Sequence, residues 1–275
     1  MRTPSPSRRR RTAGRLAAAG VAAALLVVVG ASPAGADTSA AAATAQRIAG
    51  TPFPETATAS NDGTQGTVTS GTGAPTALPD NDVVGAGALG QIAVANDDGT
   101  SAACAGLIAP SSEIAIAPNG VCDPGTTASG VTLDLGGLLA LNAGSITAEC
   151  TASSTGEPTG RARLANAGVT SLGIAVVALD SDPAPNTVVG VQGVLDLTLN
   201  GQTVNPDGSI TVTALSFSLL GQGLIEIGQV TCGPNEVAAP IPLVPAEGHP
   251  LAGAVLLLGG ALLVLHRRRQ TPATA

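Results

Sequence analysis

"SITVTALSFSLLGQGLIEIGQVTC", Ser209 to Cys232, decides how this chain folds. Its apolar side chains recur at every second position: Ile210, Val212 and Ala214, then Leu215, Phe217 and Leu219. A period of two puts successive side chains on opposite faces of a strand, whereas a helix repeats its apolar stripe every three to four residues. The phase slips by one residue between Ala214 and Leu215. That slip predicts either a β-bulge near Ala214 or a strand buried on both faces.

Outward from this stretch the same texture continues. Leu195, Leu197 and Leu199 alternate with Asp196 and Thr198, and Asn200-Gly201 then offers a strong hairpin dipeptide. Asn205-Pro206-Asp207-Gly208 supplies a further turn. Val131, Leu133 and Leu135 share one face, with Thr132 and Asp134 on the other. From residue 83 to 233, short apolar runs alternate with Gly, Asn, Asp and Pro turns, and long helical periodicity is missing. The expected fold class is all-β, an antiparallel β-sandwich or barrel-like ectodomain over residues 83–233. Residues 37–82 are rich in Ala, Thr, Gly and Pro and read as a loose N-terminal segment, with one strand near Thr67–Thr69. Residues 234–248 carry four prolines and read as a spacer.

The two ends of the chain speak of export. Arg8 to Arg11 and Arg15 form a basic region, Leu16 to Gly30 an apolar one, and Ala34-Gly35-Ala36 offers small residues for cleavage. That order predicts a signal peptide over residues 1–36, cut before Asp37. "RRTAGRL" (10–16) loosely resembles a twin-arginine signal, so Sec and Tat export both stay open. At the other end, Pro250 to Leu265 is uncharged and would span roughly 24 Å as a helix, with His249 and Arg267 able to snorkel at its ends. It is expected to form a transmembrane anchor over 249–266, followed by a basic cytoplasmic tail, 267–275, containing Arg267, Arg268 and Arg269. Where a Gram-positive sorting motif would sit, the chain reads Leu243-Val244-Pro245-Ala246-Glu247-Gly248, with no Thr to be cleaved after. Retention in the membrane is therefore expected ahead of cell-wall attachment after C-terminal processing.

Composition narrows the chemistry. The nineteen Asp and Glu all fall between Asp37 and Glu247, against only Arg47, Arg161 and Arg163, which gives that stretch a net charge of −16. Such a domain repels nucleic acid, whose binding needs Lys and Arg. Trp and Tyr are absent and Phe53 and Phe217 are the only aromatics. Sugar-binding faces and single-strand nucleic-acid sites ordinarily use aromatic platforms. Both histidines, His249 and His266, flank the apolar tail, and the chain has no Lys. The stretch from 37 to 248 thus lacks the usual general bases for a Ser or Cys nucleophile, and no catalytic residue and no cofactor is expected.

Four cysteines, Cys104, Cys122, Cys150 and Cys232, suggest two disulfides in an oxidising compartment. Three pairings are possible. The expected one is Cys104–Cys122, closing a local loop, with Cys150–Cys232 joining the strand-like ends "ITAEC" and "GQVTC". Zinc is disfavoured because no CxxC pair supports it.

"AGALGQIAVANDDGTSAACAGLIAPSSEIAI" (86–116) resembles the N-terminal half of the actinobacterial choice-of-anchor G family. "SITVTALSFSLLGQGLIEIGQVTCG" (209–233), together with "ITAEC" (146–150), is similar to the closing strands of the choice-of-anchor P family, where a VxALxxxLLG run leads to a late Cys. The P-family match ranks first. The resemblance implies an exported surface protein and carries over no catalytic residue.

The densest acidic clusters are Asn96-Asp97-Asp98-Gly99 and Asp180-Ser181-Asp182. They are the weak candidates for a Ca²⁺ site, since that ion wants six to eight oxygens. Neither has EF-hand spacing, and turn formation accounts for both. The expected function is a structural or interaction role in display, adhesion or envelope organisation, held to the membrane by the C-terminal helix. Its contacts would be with envelope proteins or the cell wall. A Ca²⁺- or ligand-binding module using the acidic loops is the alternative, and a hydrolase working with carboxylates alone is a remote third.

Overall fold

A computed structural model describes residues 37–78, 84–125, 130–134, 139–191, 195–219 and 222–238. The expected signal peptide, most of the spacer, the expected anchor and the basic tail lie outside these residues. Those described belong to one compact unit, Gly35–Ala239. They form strands and turns without a helix, so no helix among them is long and apolar enough to cross a membrane.

The strands run in order as follows. The first six are β1 (Ser39–Ile48), β2 (Thr51–Phe53), β3 (Ala57–Asn61), β4 (Val68–Ser70), β5 (Val84–Ala86) and β6 (Ala88–Ala95). Next come β7 (Thr100–Ile108), β8 (Ala115–Ile116), β9 (Cys122–Asp123), β10 (Val131–Asp134), β11 (Leu139–Ala143) and β12 (Ser145–Ser153). The last seven are β13 (Gly156–Ala165), β14 (Gly168–Ser171), β15 (Ile174–Ala178), β16 (Thr187–Val191), β17 (Leu195–Val204), β18 (Ile210–Leu219) and β19 (Gln222–Cys232).

Pairing is antiparallel throughout. The first sheet has the order β16-β17-β18-β19-β1-β2, with β3 also on β1. The second is β13-β12-β7-β6-β4 and the third β15-β14-β11-β10-β5, while β8 and β9 form a small hairpin of their own. Single glycines, Gly87 and Gly144, carry the chain directly from the third sheet into the second, from β5 to β6 and from β11 to β12. The all-β antiparallel expectation holds, and the first two sheets stack as a sandwich.

The expectation of a loose segment over 37–82 does not hold. β1 lies inside the first sheet, pairing with β19 from Ala41↔Cys232 to Ile48↔Ile225, and β3 pairs with its first half. The domain begins at residue 37 rather than 83. Only the strand expected near Thr67–Thr69 was legible there, as β4. The reason is the size of the side chains. Ala41, Ala43, Ala45, Ala57 and Ala59 of the first sheet are buried, as are Ala93, Ala103, Ala105, Ala148 and Ala162 of the second. Alanine has little intrinsic preference for strands, but it lets two sheets approach more closely than the usual ≈10 Å. A Cβ placed on Gly228 of β19 would lie 2.7 Å from the Ala105 carbonyl oxygen and 3.2 Å from the Ala148 nitrogen. There the backbones of the two sheets are nearly in contact.

The phase slip at Ala214 has a cause that spans four strands of the first sheet. The ladder skips one row, made of Ala45, Gly228, Ala214 and Asn200, without changing register on either side. Gly228 and Asn200 take positive φ there, +63° and +50°. On one side of the row the buried residues are Ile210, Val212 and Ala214; on the other they are Leu215 and Phe217. The same change of parity occurs from Gly228 to Ile227 and from Asn200 to Leu199. The sheet is creased along this row, and the one recorded shift of register in the β18–β19 ladder lies further on, between Ser218 and Leu219. Asn200-Gly201 is therefore no hairpin turn, as its sequence suggested. It sits inside β17, where Asn supplies the left-handed residue that the crease needs.

Two side-chain amides serve the crease reciprocally. Gln91 of the second sheet accepts the Ala45 N–H of the first at 2.9 Å. Asn200 of the first sheet accepts the Ala162 N–H of the second at 3.0 Å and donates to the Pro183 carbonyl at 2.8 Å. Beyond the crease the core residues become large. Leu197, Leu199, Leu215, Phe217, Ile225 and Ile227 join Val131, Leu133, Leu141 and Val169 of the third sheet in the same buried cluster as the alanines. Each large side chain contributes about 1.5–3 kcal/mol on burial, so this half supplies most of the hydrophobic stabilisation.

Gln46 lies in this large-residue half, cross-strand from Ile227. It is fully buried and neither amide atom has a hydrogen-bond partner. Unsatisfied buried polar atoms cost about 1–3 kcal/mol. Gln46→Leu, of similar size, is expected to raise the unfolding free energy by about 1–2 kcal/mol. A urea titration with an unchanged slope and a later midpoint is the check.

Candidate functional site

The outward face of the second sheet carries the densest side-chain chemistry among the described residues. On β12 it presents Ser145, Thr147, Glu149 and Thr151; on β13 their cross-strand partners are Ala165, Arg163, Arg161 and Thr159. On β7, Cys104 lies opposite Glu149. Alternation along each strand fixes this set, because the residues between them, such as Ala148, Cys150 and Ala162, point into the core.

The β8–β9 hairpin lies across this face. The structure pairs Cys104 with Cys122 at a Cα separation of 5.6 Å, and Cys150 with Cys232 at 5.8 Å. Both are the pairings expected from sequence. The first pins the hairpin to β7, and the second joins β12 to β19, one sheet to the other. Beneath the hairpin a second small core forms from Ala88, Cys104, Ile108, Ile114 and Cys122. Gly90 makes room for Ile114, whose Cδ1 would lie 2.8 Å from a Cβ at that position.

Glu149 organises the site. It is buried beneath the hairpin, and its Oε2 accepts the Cys122 N–H at 2.6 Å. Its Oε1 accepts the Nε–H of Arg161 and lies 3.4 Å from Nε of Arg163. Two guanidinium groups therefore share one carboxylate. A buried carboxylate needs such partners, since removing its charge from water unpaired would cost several kcal/mol. Arg163 Nε is itself buried and makes no hydrogen bond. Beside the two arginines is a cavity of about 320 Å³, lined also by Ser145, Thr147, Ser181 and Asp182. Past β8 lies a larger hollow of about 610 Å³, with Asp98, Asn119, Thr151 and Glu157 on its walls. The hairpin thus separates a charge-balanced cleft, with Arg161, Arg163 and Asp182 on its walls, from an acidic groove with Asp98 and Glu157.

The sequence-derived Ca²⁺ candidates do not converge. Asp98 accepts the N–H and hydroxyl of Thr100 at 3.0 and 2.6 Å, and Asn96 bonds Thr67 and Thr100, so the loop closes on itself. Asp97 is exposed in the same turn. Asp180 accepts the Asp182 N–H at 3.1 Å, and Asp182 lines the cleft beside Arg161 and Arg163 instead. Among the described residues no three His, Cys, Asp or Glu side chains are placed to hold a metal. Turn formation accounts for both clusters. Millimolar CaCl₂ is expected to leave the melting temperature unchanged, and a calcium-dependent rise in a thermal scan would restore the metal reading.

Two further aspartates show the same turn chemistry with an electrostatic consequence. The Ser209 hydroxyl and backbone N–H hold the Asp207 carboxyl below the usual range, and Thr64 does the same to Asp62. A depressed pKa in the folded state means stability that is present above the unfolded value and lost as pH falls through the folded one. In a carboxyl-carbon NMR titration, Asp207 is expected to protonate at lower pH than an unbonded aspartate, and Ser209→Ala, which removes the hydroxyl but keeps the backbone N–H, to move it part of the way back.

Comparison of the chain with protein-family models, with curated proteins and with solved structures finds no match. Its functional reading therefore rests on its own residues. Arg161, Arg163 and Glu149 were not singled out from sequence. The available signal was that two of only three arginines between 37 and 248 stand two residues apart, in a strand-like "GRARLA".

Proposed function

We propose that this is an exported, membrane-anchored cell-surface protein whose domain serves display, adhesion or envelope organisation and does no catalysis. The observation that carries the reading is where the folded unit begins and ends. Asp37, the residue expected to follow signal-peptide cleavage, accepts the Ala238 N–H at 2.9 Å and the Ser154 hydroxyl at 3.0 Å. Thr38 and Glu236 exchange backbone hydrogen bonds beside it. Both chain ends of the domain are thus fastened at one place, and the two apolar terminal segments fall outside the unit Gly35–Ala239. Two disulfides suit an oxidising exterior.

The resemblance to the choice-of-anchor P family agrees with this reading and adds no chemistry to it. The lack of His and Lys between 37 and 248 favours a non-enzymatic role. The test is to separate membrane from wall material in the native host and take the intact mass from each. A chain from Asp37 to Ala275 in the membrane supports the anchored form. A chain ending near Gly248 on wall material makes the tail a sorting signal, and a soluble cytoplasmic chain retaining residues 1–36 refutes the proposal.

A further inference from the structure

We propose that Asn119, at the tip of the β8–β9 hairpin, is a site of spontaneous deamidation in the folded protein, and that the fold blocks the same chemistry at Asn200. Asn-Gly occurs twice in the chain, as Asn119-Gly120 and Asn200-Gly201. The reaction needs only water. The Gly120 nitrogen gives up its proton and bonds to Cγ of Asn119; the Cγ–Nδ2 bond breaks and that nitrogen leaves as ammonia. Water then opens the cyclic imide at either carbonyl, which gives aspartate or isoaspartate. Glycine makes the first step accessible, because no Cβ crowds the attacking nitrogen. What decides the rate is whether the backbone can bring that nitrogen onto the side chain.

At Asn119 little stands in the way. The residue is exposed, and its Oδ1 accepts the Val121 N–H at 3.2 Å. Its Nδ2, the leaving group, has no hydrogen bond among the described residues. Two backbone bonds close the turn: the Gly120 N–H donates to the Ala117 carbonyl at 2.8 Å, and the Ala117 N–H to the Val121 carbonyl at 2.9 Å. The flanking strands are two residues each. Opening so short a tip parts only local bonds and leaves the sandwich and both disulfides in place.

Asn200 has the same neighbour and the opposite surroundings. It is 2% exposed. Its Oδ1 accepts the Ala162 N–H and Gln202 Nε2, both at 3.0 Å, and its Nδ2 donates to the Pro183 carbonyl at 2.8 Å. Gly201 is held in the β17–β18 ladder opposite Thr213. Bringing its nitrogen onto the side chain requires β17 to leave the sheet, an opening on the scale of global unfolding. At Asn119 the product adds a carboxylate to the wall of the hollow that already carries Asp98 and Glu157. Isoaspartate also lengthens the backbone of the turn that leads to Cys122, whose N–H Glu149 holds. This inference goes beyond the display role and does not depend on where the chain is anchored.

The test holds the full-length, disulfide-bonded protein in mildly alkaline buffer at constant temperature, with and without enough urea to unfold it. Peptide maps read by mass spectrometry, with fragmentation that distinguishes isoaspartate from aspartate, follow both sites over time. The urea arm gives the unhindered rate of each site. In the folded protein Asn119 is expected to convert within about tenfold of its rate in urea, and Asn200 to be slowed more than about a hundredfold relative to its own. The proposal is overturned if folding slows the two sites by the same factor, or if Asn200 converts first.

Discussion

Gly228→Ala is expected to cost the domain about 4 kcal/mol, from two effects that act together. The residue has φ of +63°, a conformation that costs a side-chain-bearing residue about 1–3 kcal/mol. The new Cβ would also lie 2.7 Å from the Ala105 oxygen and 3.2 Å from the Ala148 nitrogen. Those are backbone atoms of the facing sheet, which cannot rotate away, and overpacking of this kind costs about 1–3 kcal/mol more. Gly208→Ala separates the two effects. Its φ is +86°, but nothing lies within 4 Å of its Cβ position, so only the conformational cost of about 1–2 kcal/mol should appear. Urea titrations of both variants are the measurement. Equal losses would mean that the close approach of the two sheets contributes nothing.

Removing the Cys150–Cys232 bridge is expected to cost slightly more, about 4–5 kcal/mol. The bridged residues are 82 apart in sequence, against 18 for Cys104–Cys122. In the loop-entropy account the shorter loop is worth about 3 kcal/mol. The double variant Cys150→Ala/Cys232→Ala should therefore unfold at lower urea than Cys104→Ala/Cys122→Ala. The first also loses the link between facing sheets, while the second releases only the hairpin and its small core. A reversed order would show that the hairpin, rather than the sandwich, limits stability.

These residues also show what could be read from sequence. Alternation in "VTLD", "LDLTL" and "SITVTALSFSLL" gave the strands directly, because each has one large-residue buried face. The cysteine pairing was legible for a similar reason, since both members of the long pair end strand-like runs. β1 was not legible. "SAAAATAQRI" has no large apolar residue until Ile48, so its composition resembles a linker. What recruits it is tertiary: a facing sheet equally poor in side-chain volume. Asn200-Gly201 misled for a related reason. The dipeptide reports a need for positive φ, and a crease meets that need as well as a turn does. At the candidate site, Glu149 and Arg161 are twelve residues apart and meet only through the β12–β13 register, which no local pattern announces.

Cys232 is the last residue of β19, and the six residues after it, to Ala238, stay fastened to the domain through Thr38 and Asp37. If the segment beyond is a tether, a pull on it loads the hydrogen bonds of Ala238 and Glu236 first and, once these part, arrives at Cys232. An antiparallel strand pulled from its end would otherwise unzip from its neighbours one hydrogen-bonded pair at a time. Here the sulfur bridge passes the load to Cys150, six residues into β12 and on the opposite sheet. Tension is divided between two layers by a covalent bond before it can peel β19 from β1 and β18. Under such a pull the two sheets would stay covalently joined after the hydrogen bonds of β19 had begun to part.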